Sequence, residues 1–220
     1  MKHLKTLGAA LIAAAALTAL FGAGSASATV ICSTTADPCP AGQAWPNATV
    51  LDWSIPSGSS IVLKDTSGNT LDSCTTSTME WEITNTGSAT ETVTGKYKEP
   101  LSSTGTTWGG CTFTTTTLNA SAKWKIHKIA GTSNGTVTSD SAIEWTTNTA
   151  LFGSCIYGVA STTDIGTITE GIGTGTKFNV NAVVTRFGSN FACPATTKMT
   201  ATYVLTTPSS TTLSVSESGS

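Results

Sequence analysis

The sequence predicts an all-β fold, a β-sandwich or jelly-roll-like arrangement of about ten to twelve short strands held by three disulfides. Three observations lead there. Apolar residues alternate with polar ones at period two. Gly, Asn, Asp and Pro punctuate that alternation as turn formers. Six cysteines, an even number, follow an export-type leader. No segment sustains a helical period.

The chain begins with an export-type leader. Lys2 and Lys5, an apolar run from about Leu7 to Phe21 and the small residues Ala26-Ser27-Ala28 make a secretory signal peptide, with cleavage expected before Thr29. The run is about fifteen residues, short of the roughly twenty that span a bilayer, so it is expected to be removed and to leave no membrane span. The mature protein is then secreted and extracellular, in a bacterial style of export. Residues 29–208 are expected to form a single β-sandwich-like domain, and 209–220 a short polar tail carrying one last strand around Leu213 and Val215.

Within the domain, Val50-Leu51 and Ile61-Val62-Leu63 open the strand series. Met79, Trp81 and Ile83 alternate with Glu80 and Glu82, so one face buries an apolar row while the other shows carboxylates to water. Trp124 and Ile126 do the same against Lys123, Lys125 and His127. Phe178, Val180, Ala182 and Val184 make a further row, as do Met199, Ala201, Tyr203 and Leu205, while Val93, Phe113 and Ile156 mark shorter strands. Asp65-Thr66-Ser67-Gly68-Asn69 and Asn134-Gly135 read as hairpin turns.

Cys32, Cys39, Cys74, Cys111, Cys155 and Cys193 allow fifteen pairings. Sequential pairing is the expected one: Cys32 with Cys39, Cys74 with Cys111, and Cys155 with Cys193. In the chain-entropy model the short loop contributes about 2.5 kcal/mol and each long one about 4 kcal/mol. A metal site is not expected, because no CxxC pair occurs and His127 is the single histidine after the leader.

Without Lys2 and Lys5 the chain has nine basic against thirteen acidic residues, a net charge of minus four. That balance argues against nucleic acid and anionic membrane as partners. About a third of the mature chain is Ser or Thr, which makes a surface polar by hydroxyl groups more than by charge.

The start of the mature chain, Ala28-Thr29-Val30-Ile31-Cys32 through Pro38-Cys39, together with Cys111-Thr112-Phe113, Phe191-Ala192-Cys193-Pro194 and Met199-Thr200-Ala201-Thr202-Tyr203, resembles a large, uncharacterised group of small exported, disulfide-containing β-rich proteins of soil bacteria. More faintly, the body is similar to secreted β-rich proteins described as activators of alkane oxidation and associated with the cell surface and biofilm. These motifs mark disulfides and strands, and the resemblance implies no catalytic residue.

His127 lies on the same strand face as Lys123 and Lys125, which reads as a solvated basic face and not as part of a triad. Glu80 and Glu82 share a wet sheet face, where paired-carboxylate hydrolysis would need one of them desolvated. Asp65, Ser67 and Asn69 alternate like calcium ligands, but Thr76 stands where an EF-hand needs Glu, so a hairpin turn accounts for them. Among six tryptophans, Trp45 beside Pro46 and Trp108 before Gly109-Gly110 sit in loop-like surroundings and are the candidate binding residues, as flat platforms for sugar rings.

The expected function is therefore a non-enzymatic extracellular protein, a surface or matrix component or a ligand-binding module, with no catalytic residue, metal or cofactor. A glycan-binding module using Trp45 or Trp108, with polysaccharide or a cell-surface component as partner, is its sharper form. A carboxylate-dependent hydrolase is the alternative of a different class. Low-charge strand runs such as Ser60-Ile61-Val62-Leu63 add edge-to-edge assembly as a third.

Overall fold

The computed structural model describes residues 29–218 apart from positions 89, 99–106, 114, 117–121 and 150; the leader expected over residues 1–28 lies outside the described residues. The strands are β1 (Thr29–Cys32), β2 (Val50–Ser54), β3 (Ile61–Asp65), β4 (Thr70–Asn85), β5 (Val93–Tyr97), β6 (Thr107–Cys111), β7 (Thr115–Thr116) and β8 (Lys123–Lys128). They continue with β9 (Gly135–Ser139), β10 (Ile143–Thr149), β11 (Gly153–Val159), β12 (Asp164–Thr169), β13 (Gly171–Ile172), β14 (Lys177–Arg186), β15 (Thr196–Thr207) and β16 (Thr212–Glu217). One 3-10 turn, Gly173–Gly175, precedes β14.

The sheet closes on itself. β2, β4, β5, β8, β9, β12, β14 and β15 pair in that order, every neighbour antiparallel, and β15 returns to β2. This is an eight-stranded barrel with additional strands. It corrects the expected sandwich or jelly roll. Period-two alternation tells which face of a strand is buried, but the same pattern serves a row facing a second sheet and a row facing the far wall of its own barrel. Closure is decided by the last pairing, between β2 and β15, some 150 residues apart in the chain.

Chain length along each wall explains the surplus of strands. β4 is 16 residues and β15 is 12, and at about 3.3 Å per residue β4 runs roughly 50 Å. Their neighbours are shorter, so both wall positions beside β4 and one of those beside β15 are filled by two strands end to end, while β14 alone lines the other side of β15. On one side β4 pairs with β2 through its C-terminal half and with β3 through its N-terminal half. On the other it pairs with β5 and then β6. β11 extends the line of β12 beside β14, and β10 and β7 follow outward from β11. The ring of β2 and β5 is thus continued by a second tier. Among the described residues, β6 pairs only with β4, so this upper tier has a seam between β6 and β7.

The inward rows fill the barrel. Leu51, Trp53, Trp81, Ile83, Trp124, Ile126, Ala182, Val184 and Leu205 are all fully buried. Trp81 is the hub, with ring centroids of Trp53 at 5.3 Å, Trp124 at 4.8 Å, Tyr97 at 6.2 Å and Phe178 at 4.8 Å. Tilted and edge-on contacts of this kind match the charge distribution of aromatic rings and add to the effect of area burial.

A three-stranded sheet, β1–β16–β13, floors the lower tier. Ile31, Leu213 and Val215 enter the core from it. The last strand expected around Leu213 and Val215 is β16, and it pairs with β1 and β13 as part of the fold. Its serines hide this in the sequence. Ser214 and Ser216 are buried, and their hydroxyls donate to the carbonyls of Thr34 and Ala36, so each polar group is satisfied at low cost. The Lys128 ammonium pairs with Asp37 and Glu217 and ties β8 to this floor.

The three disulfides join Cys32 to Cys39, Cys74 to Cys111, and Cys155 to Cys193, the sequential pairing. The first staples the floor, the second β4 to β6, and the third β11 to the turn between β14 and β15. No helix among the described residues is long and apolar enough to cross a membrane.

Candidate functional site in the upper barrel

Two voids lie in the upper tier. The larger, of about 40 Å³, is bounded by residues of nine strands, among them Met79, Tyr97, Trp108, Trp145, Met199 and Tyr203. The smaller, of about 20 Å³, shares Ile61, Trp108, Trp145 and Met199 with it and reaches Asp72 and Thr147. Almost every group facing the larger void is carbon. The phenol of Tyr203 is turned aside to the Ser77 hydroxyl at 3.0 Å, and burial pushes its pKa well above the ordinary tyrosine value.

Trp108 joins the two voids. It sits on β6, partly buried against the core, and its buried indole N–H makes no hydrogen bond among the described residues. β6 holds it through Ser77 and Thr76, which face Trp108 and Gly109 across the β4 ladder. The Gly109 position is tight, because a Cβ there would stand 2.4 Å from the Thr76 hydroxyl. The strand that carries this indole is anchored on one side, by ladder and by the Cys74–Cys111 bridge, and borders the seam on the other.

Asp72 closes the upper end. Its carboxylate accepts the amide N–H of Ser73 at 2.8 Å and of Phe113 at 3.1 Å, and the Thr147 hydroxyl at 2.8 Å. It is buried. In the sequence Asp72 stands isolated and looks exposed, because strict alternation after Leu71 sends it to water. A bulge removes the alternation: Leu63 pairs with Asp72 and Lys64 with Thr70, so β4 holds one extra residue and both Leu71 and Asp72 are buried.

The two tryptophans expected as displayed platforms are placed otherwise. Trp45 is 6 % exposed; its amide donates to Ile31 O and the Cys32–Ala44 bridge draws the segment under β1. Trp108 is on a strand and turns its ring toward the voids. Neither makes an open planar surface, which removes the premise of a stacked sugar at Trp45. Trp81 and Trp124 are core residues, as their alternation implies, and Trp53 and Trp145 are buried as well.

The remaining candidates follow their plain readings. Glu80 pairs with Lys98 at 3.6 Å and Glu82 with Lys96 at 3.5 Å on the outer wall. His127 is exposed opposite Thr136. Asp65 accepts the amides of Ser67 and Asn69 and the Asn69 side chain, which makes the hairpin turn. Comparison with protein families, curated proteins and solved structures finds no match for this chain.

Proposed function

We propose that this chain is a non-enzymatic extracellular binding module that takes a small, mainly hydrocarbon molecule into the upper barrel beside Trp108. The observation that carries the reading is the carbon-lined void bordered by Trp108, whose buried indole N–H has no hydrogen-bond partner among the described residues. Ligand sites are largely apolar concavities with a few polar groups that fix orientation. Here the indole N–H supplies a donor, so the favoured ligand carries one hydrogen-bond acceptor. At about 40 Å³ the void admits only a few atoms, and a larger guest requires movement. Met79 and Met199 can rearrange around a guest, and β6 borders the seam through which one would enter. Export by the leader and the three disulfides support an extracellular setting.

The test is titration of the exported, oxidised protein with cyclohexane and with cyclohexanone, followed through the methionine methyl resonances. Saturable shifts at Met79 and Met199 are expected, with the ketone bound several-fold tighter because its oxygen meets the indole N–H. Trp108→Phe should remove that preference. If neither compound gives a saturable shift, the interior is only a packing void.

A further inference from the structure

A second surface, independent of the cavity, lies at the upper rim. Leu151 in the β10–β11 turn and Phe191 in the β14–β15 turn are each 84 % exposed. Behind them on the outer wall are Phe187, 41 % exposed, and Ile156, 38 % exposed; the two strands meet there, with the Phe187 amide donating to Ile156 O. Large apolar side chains grouped at one end of a molecule mark a contact surface far more often than a scattered exposed leucine does.

These side chains are held outward. The Cys155–Cys193 bridge joins β11, just beyond the Leu151 turn, to the turn that carries Phe191. The Asn190 amide donates to Phe152 O at 2.7 Å and to Ser154 O at 3.2 Å. Arg186 donates to Cys193 O at 2.8 Å and lies 4.8 Å from the centre of the Phe191 ring. A disulfide, an amide clasp and a cation over the ring therefore brace the segment that displays Phe191, and its exposure is not the result of a loose turn.

The charge beside this rim is positive. Lys64 and Lys198 face each other directly across the β3–β15 ladder, both exposed, and neither takes part in an ion pair among the described residues. Like charges placed opposite each other are unfavourable unless an anion shields them. Val183, 57 % exposed, lies opposite Lys198 on the next ladder and leads up β14 toward Phe187. Asp65, next to Lys64 in the chain, is engaged by its own turn. Asp72 at this end is buried among its own donors, Glu80 and Glu82 are paired with Lys98 and Lys96, and Asp37 and Glu217 are paired with Lys128 at the floor.

From this juxtaposition we propose that the upper rim docks on an anionic lipid surface, with Leu151 and Phe191 entering the headgroup boundary and Lys64, Lys198 and Arg186 facing lipid phosphates. Apolar tips backed by cations are the arrangement that binds peripherally to such surfaces. The net-charge expectation against an anionic membrane is reversed locally, because electrostatic attraction over a Debye length of about 10 Å depends on the nearest charges.

The test is co-sedimentation of the exported, oxidised protein with vesicles of phosphatidylcholine containing phosphatidylglycerol, and with phosphatidylcholine alone. Binding is expected to the mixed vesicles, at least tenfold weaker to the neutral ones, and weakened by salt. L151S/F191S should lower binding tenfold or more with an unchanged near-ultraviolet circular dichroism spectrum, and K64A/K198A should bring anionic and neutral vesicles together. No binding to anionic vesicles overturns the proposal. So does binding that both double variants leave intact, or a wild-type dimer in sedimentation velocity that L151S/F191S dissociates, since the rim would then be an interface between copies.

Discussion

Gly95 and Trp124 face each other across the β5–β8 ladder, and the indole lies so close over the glycine that a Cβ at position 95 would stand 2.0 Å from Trp124 Cζ2. The missing side chain is what lets Trp124 turn inward and reach Trp81 at 4.8 Å. Backbone freedom has no part in this, since Gly95 is ordinary strand; the requirement is space.

Gly95→Ala should therefore destabilise the fold by about 2–3 kcal/mol, as overpacking of a filled core does. Urea denaturation measures it. A shift in midpoint no larger than that produced by Gly175→Ala, where nothing lies within 4 Å of the added carbon, would show that the indole gives way freely.

The upper end depends on Asp72. Asp72→Ala leaves the Ser73 and Phe113 amides and the Thr147 hydroxyl without this acceptor, and a loss of about 3 kcal/mol is expected from the buried donors so exposed to an apolar setting. Thr147→Val removes the hydroxyl donor to a carboxylate that keeps the Ser73 and Phe113 amides, so its cost should be smaller, about 1 kcal/mol. Thermal unfolding of the two variants side by side checks the order.

All three tyrosines are buried. Burial raises the pKa of Tyr157 to about 12 and those of Tyr97 and Tyr203 further. The folded state then holds protons that the unfolded chain releases near pH 10, so stability falls as pH rises above about 10. Phenolate absorbance is expected in one cooperative step that coincides with loss of near-ultraviolet circular dichroism. A gradual single-tyrosine titration at pH 10 in the folded protein would contradict this.

At the floor, desolvation raises the Asp37 pKa, but its hydrogen bonds to Lys128 and the Glu217 amide outweigh that and hold it below the ordinary value. The contribution is present above about pH 4, where an unfolded Asp is ionised, and fades as the pH drops through the lower folded value. Asp37→Asn should cost about 1 kcal/mol at pH 7, Asp37 being partly exposed, and the difference from wild type should shrink in acid. Leu213→Ala, which empties a fully buried position on β16, should cost about 2–5 kcal/mol. Urea midpoints at pH 7 and pH 3 separate the two effects.

Much of the fold was legible because strand alternation is a local property. Met79-Trp81-Ile83, Trp124-Ile126 and Phe178-Val180-Ala182-Val184 each declare an inward row, and the hairpin at Asp65–Asn69 declares its turn through side-chain caps within five residues. Six cysteines allow fifteen pairings, and the sequential one expected is the one formed. The candidate site was far less legible. Trp45 and Trp108 look alike in sequence, each beside helix- and strand-breaking residues, yet one is pulled under β1 and the other lines a cavity.

By itself the sequence determined the strand class, the inward rows, the disulfide chemistry and the small share of charge, since each depends on residue type and near neighbours. Tertiary structure alone decided that the sheet closes, that β16 floors the barrel, that Asp72 turns inward, and that Leu151 and Phe191 share one rim. Those four depend on which strand lies beside which and on a single extra residue at a bulge, contacts between positions far apart in the chain for which no local pattern carries a signal.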